Sequence, residues 1–328
     1  MKRTRKSLWM SALFALLLVG CSTNNESDTN GNDAGSSQSS SQNTEESSTF
    51  PVTLTDASGE EVTLQKDPET IVSLIPSNTE ILFAVNAGEE VIGVTENDDY
   101  PSDVETIDHV GGMELNVEKI ISLQPDLVLG HEIALQSSTE AYDQIEEAGI
   151  PVYVVSEATS FDEVYDTIET IGTLTGESQS ATSLIDKMKS DLTEIEEKAA
   201  SIEEENEKRV FVESSPAPEI YAPGKGTFVN QMLEMIHANN VLSDQDGWVQ
   251  VNAEAVVDYQ PNVIMVAYNY TENPVEAVLS RNGWDSIPAI QEEAVYLIDT
   301  NLLSRPGPRL VEGVEQLAET IYPEIYSE

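Results

Sequence analysis

The chain has 328 residues and a formal net charge of −45, from 15 Lys and Arg against 60 Asp and Glu. So few cations argue against a nucleic-acid partner, because phosphate binding needs clustered Lys and Arg. A single cysteine excludes an intramolecular disulfide. The acids are spread along the chain rather than gathered at one spacing, so we interpret the charge as surface solvation rather than as a cation site.

The N-terminus has the pattern of a cleaved lipoprotein leader. A basic start precedes an apolar run from Leu8 to Val19, and Leu17-Leu18-Val19-Gly20-Cys21 ends it. About a dozen apolar residues are short for a membrane span, which takes about twenty. We predict a signal peptide over 1–20 and lipid on Cys21; the alternative is an ordinary signal peptide that happens to end in Cys.

The segment 21–49 is rich in Ser, Asn, Gly, Gln, Thr and acids and has almost nothing to bury, so it predicts a disordered tether. No later apolar run approaches membrane-spanning length. We therefore expect an extracytoplasmic body, anchored to the cell membrane by lipid alone.

The folded part is predicted to open with a hairpin, because apolar residues alternate on both sides of Ala57-Ser58-Gly59-Glu60. The buried run Ile71 to Ile75 predicts a strand, and Ser77 with Glu80 predicts a capping box that starts the next helix. Further strands are predicted where short apolar runs recur between helical patterns, at 91–94, 127–129, 152–155, 209–212, 263–266 and 294–298. This alternation predicts an α/β fold with parallel sheets covered by helices.

One long helix is predicted over 176–207, with apolar residues every three or four positions and no Pro or Gly from Ser178 onward. We interpret it as a strut between an N-terminal lobe, 50–175, and a C-terminal lobe, 208–328, with a cleft between them. The alternative is a single α/β domain with one long peripheral helix.

An internal repeat favours the two lobes. Residues 116–129 and 252–265 share Asn, Glu, Gln and Pro at the same places, with apolar positions in phase and no gap. Each copy predicts an Asn N-cap, a short helix, a Pro stop and a buried strand.

Glu118 and Glu254 hold equivalent places in the two copies. A carboxylate near a helix N-terminus gains about 0.3–1 kcal/mol from the helix dipole, which alone explains both residues. The alternative is that two acids at equivalent lobe tips dock onto cationic sockets of a partner.

Signals of catalysis are poor. The chain has three histidines, His109, His131 and His237, and lacks the H-E-x-x-H, G-x-S-x-G, P-loop and G-x-G-x-x-G motifs. We expect no enzyme, no catalytic residue, no cofactor and no metal site. A surface hydrolase is the competing class, and a purely adhesive or structural lipoprotein is a third.

Three side chains are predicted at the cleft from their positions in the chain. His131 follows a strand that should end at the cleft edge, and the alternative is an ordinary loop histidine. Trp248 precedes the second copy of the repeat, and an indole suits a flat apolar ligand; the alternative is packing at the edge of the lobe. Arg305 is predicted to contact a ligand carboxylate or amide, whereas Arg309 is predicted to pair with an acid.

Four stretches together resemble the substrate-binding lipoproteins of ABC importers for cobalamin and iron complexes. They are 71–84, Asp99-Tyr100-Pro101, 116–128 and Arg305-Pro306-Gly307-Pro308-Arg309. The first and last look most like the cobalamin branch. The resemblance implies two Rossmann-like lobes joined by a single rigid helix, with modest closure, and it implies that Glu118 and Glu254 meet arginines of the membrane permease.

The resemblance also implies ligand positions. Trp248 matches an aromatic of the cleft, whereas Asn97, Gly112 and His131 stand where aromatics are expected and Asn301 stands where an Asp is expected. Met113 stands where some haem-binding relatives place an axial ligand, which Tyr268 or Tyr270 would face. The expected cargo is cobalamin, with a ferric siderophore or haem as alternatives, and the expected state is a monomer.

Overall fold

The computed structural model describes residues 50–326. The predicted signal peptide, Cys21 and the tether lie outside these residues. Thirteen strands are present among the described residues: Val52–Thr55 (β1), Glu61–Leu64 (β2), Ile71–Ser73 (β3), Val91–Val94 (β4), Asp108–His109 (β5), Leu127–His131 (β6), Val152–Val155 (β7), Arg209–Glu213 (β8), Ile220–Pro223 (β9), Asn239–Asn240 (β10), Trp248–Val251 (β11), Val263–Val266 (β12) and Val295–Leu297 (β13).

Helices alternate with these strands. In residues 50–326 they are Pro76–Ala84 (α1), Val117–Leu123 (α2), Leu135–Glu147 (α3), Phe161–Leu174 (α4), Ser178–Ala199 (α5), Phe228–Met235 (α6), Ala253–Tyr259 (α7), Pro274–Leu279 (α8), Pro288–Gln291 (α9), Thr300–Ser304 (α10), Leu310–Ile321 (α11) and Pro323–Tyr326 (α12). Within this part of the chain no helix combines the length and the apolar character needed to cross a membrane.

The N-terminal lobe is built on a five-stranded parallel sheet in the order β5-β4-β3-β6-β7. Its central strands are runs of buried Val, Ile and Leu, because helices cover both faces of a parallel sheet. The predicted hairpin is confirmed: β1 and β2 pair antiparallel as a separate two-stranded sheet, with Val52 opposite Leu64.

The C-terminal lobe is built on a four-stranded parallel sheet in the order β10-β8-β12-β13. Beside it, β9 and β11 form an antiparallel pair with Trp248 opposite Pro223. Sequence reasoning missed this pair, because β9 ends on Pro223 and Gln250 interrupts the apolar run of β11. The two-lobed α/β architecture is as predicted.

The long helix is shorter than predicted. It spans Ser178–Ala199 rather than 176–207, and a turn follows in which the Ile202 N–H donates to Ala199 O. Four glutamates follow between 203 and 207, and negative charge at a helix C-terminus is unfavourable. Its apolar stripe is buried against α4 of the N-terminal lobe and α11 of the C-terminal lobe.

The predicted capping box at Ser77 is wrong. Helix α1 begins two residues earlier than that box implies, with Ile75 as an N-cap that makes no side-chain bond and Pro76 as its first residue. Proline fits this position because its fixed φ suits a helix start and its missing N–H is not needed there. Glu80, the other half of the predicted box, turns instead toward two arginines of the C-terminal lobe.

The repeat is confirmed at atomic level. Asn116 and Asn252 cap α2 and α7, helices of seven residues each, by accepting backbone N–H bonds. Gln124 and Gln260 end them in the left-handed conformation, with φ of 50° and 47°. The repeat therefore encodes one cap–helix–turn–strand unit, used once in each lobe.

The two lobes also meet directly. Phe161 and Phe228 begin α4 and α6, and their rings pack edge to face with centroids 6.0 Å apart. Next to them the Gln231 side chain donates to Thr159 O at 2.9 Å. These contacts fix the relative position of the lobes alongside helix α5.

Candidate functional site

His131 ends β6 at the carboxyl edge of the N-terminal sheet, paired with Val155 of β7, as predicted. Its side chain is only 5 % exposed, and Nδ1 accepts the Ile133 N–H at 3.2 Å. Burial lowers the pKa of His131, although the neighbouring Glu132 acts in the opposite direction. A neutral, internally bonded imidazole suits a role in shaping the edge rather than direct contact with a ligand.

Four predicted ligand residues are exposed and uncharged. Trp248 is 53 % exposed, Tyr270 70 % and Met113 98 %, and the Asn97 side chain is also exposed. Trp248 and Met113 make no hydrogen bond through their side chains within residues 50–326. Apolar groups of this size left open to solvent are available to pack against a ligand.

The two lobes carry different side chains at one pair of equivalent positions. Gly111 and Gly247 both have positive φ, and their carbonyls accept N–H bonds from Glu96 and Gly224 at 2.9 and 2.8 Å. The next residue is Gly112 in one lobe and Trp248 in the other. An indole on the C-terminal lobe is therefore matched by a position without a side chain on the N-terminal lobe.

A buried charged cluster lies at the carboxyl edge of the C-terminal sheet. Glu213 ends β8 with 0 % exposure, and its carboxylate accepts two bonds from Arg281, at 2.6 and 2.7 Å, and one from the Tyr268 hydroxyl at 2.7 Å. Burial, and secondly the bond to Glu213, raise the pKa of Tyr268. Tyr268 is thus an internal donor, and only its neighbour Tyr270, with ring centroids 5.6 Å apart, is open to solvent.

Sequence reasoning named Tyr268 but missed Glu213 and Arg281. The sequence did contain a signal for this pair. Glu213 is an acid at the end of the apolar run Val210-Phe211-Val212, and the chain has few cations to neutralise it. Such an acid is buried only when it is paired.

A second ionic cluster, the interlobe latch, joins Glu80 and Asp99 of the N-terminal lobe to Arg305 and Arg309 of the C-terminal lobe. Arg309 holds the buried Glu80 carboxylate through two bonds of 2.7 and 2.9 Å. Arg305 donates to Glu80 at 2.8 Å and to Asp99 at 2.6 Å, while Asn301 donates to Asp99 at 3.2 Å. The Arg309 guanidinium also stacks on Tyr100.

The latch changes the interpretation of two predicted ligand residues. Arg309 pairs with an acid as predicted. Arg305 and Asn301 are engaged with the opposite lobe. Burial acts to lower the pKa of Arg305, but the bonds to Asp99 and Glu80 together outweigh it and the pKa is raised. This geometry favours a structural role for both residues over direct contact with a ligand.

Glu118 and Glu254 are both exposed, in the first turns of α2 and α7. Neither carboxylate has a salt-bridge partner within residues 50–326. The two acids therefore occupy the same place in the same structural unit of each lobe, with their charges open to solvent.

Comparison with known proteins identifies the family. The model of a periplasmic binding protein family matches residues 71–302. An uncharacterized ABC transporter substrate-binding lipoprotein of Bacillus subtilis, YvrC, is 46 % identical over 99 % of this chain and 100 % of its own. A cobalamin-binding protein of Halobacterium salinarum is 27 % identical, over 83 % of this chain and 74 % of its own.

Among solved structures, a possible iron-binding, periplasmic solute-binding protein from Staphylococcus epidermidis shares 36 % identity at a TM-score of 0.71, covering 78 % of this chain and 100 % of its own. The match of sequence, fold and two-lobed topology leads to one conclusion: this chain belongs to the periplasmic binding protein family.

Proposed function

We propose that this chain is the extracytoplasmic solute-binding protein of an ABC importer, that it captures a corrinoid, and that it delivers it to the membrane permease. The family and the 46 % identical relative support the coarser part, a substrate-binding protein of an ABC transporter rather than an enzyme. The corrinoid, the lipid anchor at Cys21 and a monomeric state are the finer parts of the proposal.

The observation that carries the choice of cargo is the distribution of charge at the sheet edges. Arg281, Arg305 and Arg309 are all neutralised by internal acids, so none is free to bind the carboxylates of an anionic iron complex. The predicted ligand residues that are open to solvent, Trp248, Tyr270, Met113 and Asn97, are uncharged. A large, flat macrocycle with amide substituents fits such a surface, through stacking on the indole and hydrogen bonds to Asn97.

The cobalamin-binding relative supports the same cargo. A second candidate, haem or a ferric siderophore, is supported by the iron-binding description of the 36 % identical structure. Its structural support is Met113 and Tyr270, which are both open to solvent and present a thioether and a phenol, two groups that ligate haem iron.

Delivery is assigned to Glu118 and Glu254. Paired exposed acids in one repeated unit give the protein two equivalent points for contact with cationic side chains of a permease. Their place on rigid helices that precede the central strands β6 and β12 ties the spacing of the two points to the lobe architecture.

Retention of a coloured ligand tests the cargo. The soluble body, residues 50–328, is mixed with hydroxocobalamin, haemin or a ferric hydroxamate and passed through gel filtration, and visible absorbance is measured in the protein peak. We expect hydroxocobalamin to be retained at one equivalent. Retention of haemin or the hydroxamate instead would select the second candidate, and retention of none would refute the ligand class.

A matched pair of variants locates the site. Trp248→Ala should weaken hydroxocobalamin binding by about tenfold or more, a loss of about 1.4 kcal/mol, because a stacking surface is removed. Tyr296→Ala removes an aromatic of similar exposure from the edge strand β13 and should leave the affinity unchanged. Equal losses in both variants would contradict the assignment of Trp248.

A further inference from the structure

A chain of contacts leads from the cleft edge of the C-terminal lobe to the helix that carries Glu254. It begins with the exposed Tyr270, whose ring lies against Tyr268. The Tyr268 hydroxyl donates to Glu213, which is held from the other side by Arg281. Tyr268 and Glu213 are buried and Arg281 is nearly so, so the contacts are shielded from solvent.

The chain continues through an indole. The Arg281 guanidinium lies over the ring of Trp284 at 4.2 Å, a cation–π contact. Trp284 is 1 % exposed, and its Nε1–H donates to the carbonyl of Ala253 at 2.9 Å. Ala253 is the first residue of α7, and Glu254 is the second.

The N-terminal lobe lacks this connection. Helix α2 is equivalent to α7, yet the carbonyl of its first residue, Val117, receives no side-chain hydrogen bond within residues 50–326. Its first turn is held by the Asn116 cap and by an exposed ion pair between Lys119 and Asp108. Two helices that the repeat makes equivalent are therefore anchored in different ways.

A buried ion pair is a poor explanation for stability, because well-packed apolar residues of the same volume serve as well or better. It does fix orientation: Arg281 is locked by two bonds to Glu213 and then determines where Trp284 stacks. We infer that Tyr268, Glu213, Arg281 and Trp284 form a positioning relay that sets the orientation of α7, and hence of Glu254, from the cleft edge.

The inference rests on the proposed function. A ligand packed on Tyr270 contacts one end of the relay, and the permease contacts Glu254 at the other end. Glu254 then reports occupancy of the cleft, while Glu118 serves as a fixed docking point. The contacts of the relay lie wholly within the protein, so the two ideas are tested separately.

Amide hydrogen exchange of the ligand-free protein tests the relay. Trp284→Phe removes the indole N–H and keeps an aromatic ring, and Tyr268→Phe removes only the hydroxyl. Each should speed exchange in α7 by about two- to tenfold, the range expected for one lost hydrogen bond, and leave α2 unchanged. Tyr296→Phe, which removes only the hydroxyl of an exposed tyrosine outside the relay, is the matched control.

The inference is overturned if both relay variants leave α7 exchange at the wild-type rate, or if exchange in α2 rises by the same factor, which would indicate general destabilisation. With hydroxocobalamin added, exchange in α7 should slow in the wild type and less so in Tyr268→Phe, whereas α2 stays constant. If hydroxocobalamin is not retained at all, the proposed cargo fails, and the ligand-free comparison still decides the relay.

Discussion

At the scale of single residues, burial and internal bonding separate side chains that shape the site from those open to a ligand. His131, Tyr268 and Arg305 were all predicted to contact the ligand because of where they stand in the chain. Each has instead an internal partner: Ile133 N–H for His131, Glu213 for Tyr268, and Glu80 with Asp99 for Arg305. Trp248, Met113 and Tyr270 have the exposure that contact requires.

His131 makes stability depend on pH. Burial holds the pKa of the folded state below the usual 6.5, so the unfolded chain takes up a proton that the folded protein resists. The stability due to the neutral imidazole is complete above pH 6.5 and is lost as pH falls from there toward the lowered pKa.

We therefore expect the urea midpoint of the wild type to fall more than that of His131→Gln between about pH 7.5 and about pH 5.5. The exposed His109 supplies the control, and His109→Gln should follow the wild type. Parallel pH profiles for wild type and His131→Gln would mean that the imidazole titrates freely in the folded state.

At the scale of elements, the internal repeat predicted more of the secondary structure than any other feature of the sequence. Residues 116–129 and 252–265 encode a cap, a short helix, a turn and a strand, and all four are present in both lobes. These are local features, fixed by capping chemistry and apolar runs. What sequence reasoning missed was non-local: the pairing of β9 with β11, and the ion pairs of Glu213 and Glu80 across 68 and 225 residues of chain.

Substitution by glycine in the turns that end α2 and α7 should stabilise the protein. Gln124 and Gln260 have positive φ, a conformation in which glycine avoids the Cβ clash that other residues suffer. Gln124→Gly should raise the free energy of unfolding by about 0.5–1 kcal/mol, read from the urea midpoint.

Gln260→Gly should gain less, because the Gln260 side chain donates to Val257 O at 2.6 Å and Gln124 has no such bond among residues 50–326. Equal effects of the two substitutions would show that this bond is worth little. A lower free energy of unfolding for Gln124→Gly than for the wild type would show that the turn is not strained in the way that its φ implies.

At the scale of the whole molecule, the contacts that relate the lobes within residues 50–326 include helix α5, the Phe161–Phe228 pair and the interlobe latch of Glu80, Asp99, Arg305 and Arg309. Helix α5 was predicted from the sequence, although its C-terminal end was placed at 207 rather than at Ala199. The other two were not predictable from spacing, because they join residues that only the folded chain brings together. Arg305-Pro306-Gly307-Pro308-Arg309 was singled out for its cations, yet its role is to neutralise a buried acid of the other lobe.

Within the latch, the cost of removing an arginine should depend on how it holds Glu80. Arg309→Met removes the bidentate partner of a buried carboxylate and should cost about 3 kcal/mol or more. Arg305→Met should cost less, because Arg309 still pairs with Glu80. Asp99→Asn, at an exposed carboxylate, should change the free energy of unfolding by about 1 kcal/mol or less.

Chemical denaturation of the three variants measures this order. Equal losses for both arginines would mean that Glu80 needs the two charges together. A large loss for Asp99→Asn would place the energy of the latch at its exposed end instead.

The central claim is that capture and delivery use separate parts of one duplicated architecture. The most direct measurement combines cellular uptake of the cargo with ligand affinity for Glu118→Arg/Glu254→Arg, beside a charge-matched control, Asp186→Arg/Glu197→Arg on the exposed face of α5. The account predicts that uptake is abolished in the first variant and normal in the control, while both bind hydroxocobalamin as tightly as the wild type. Loss of affinity in the first variant, or normal uptake by it, would contradict the account.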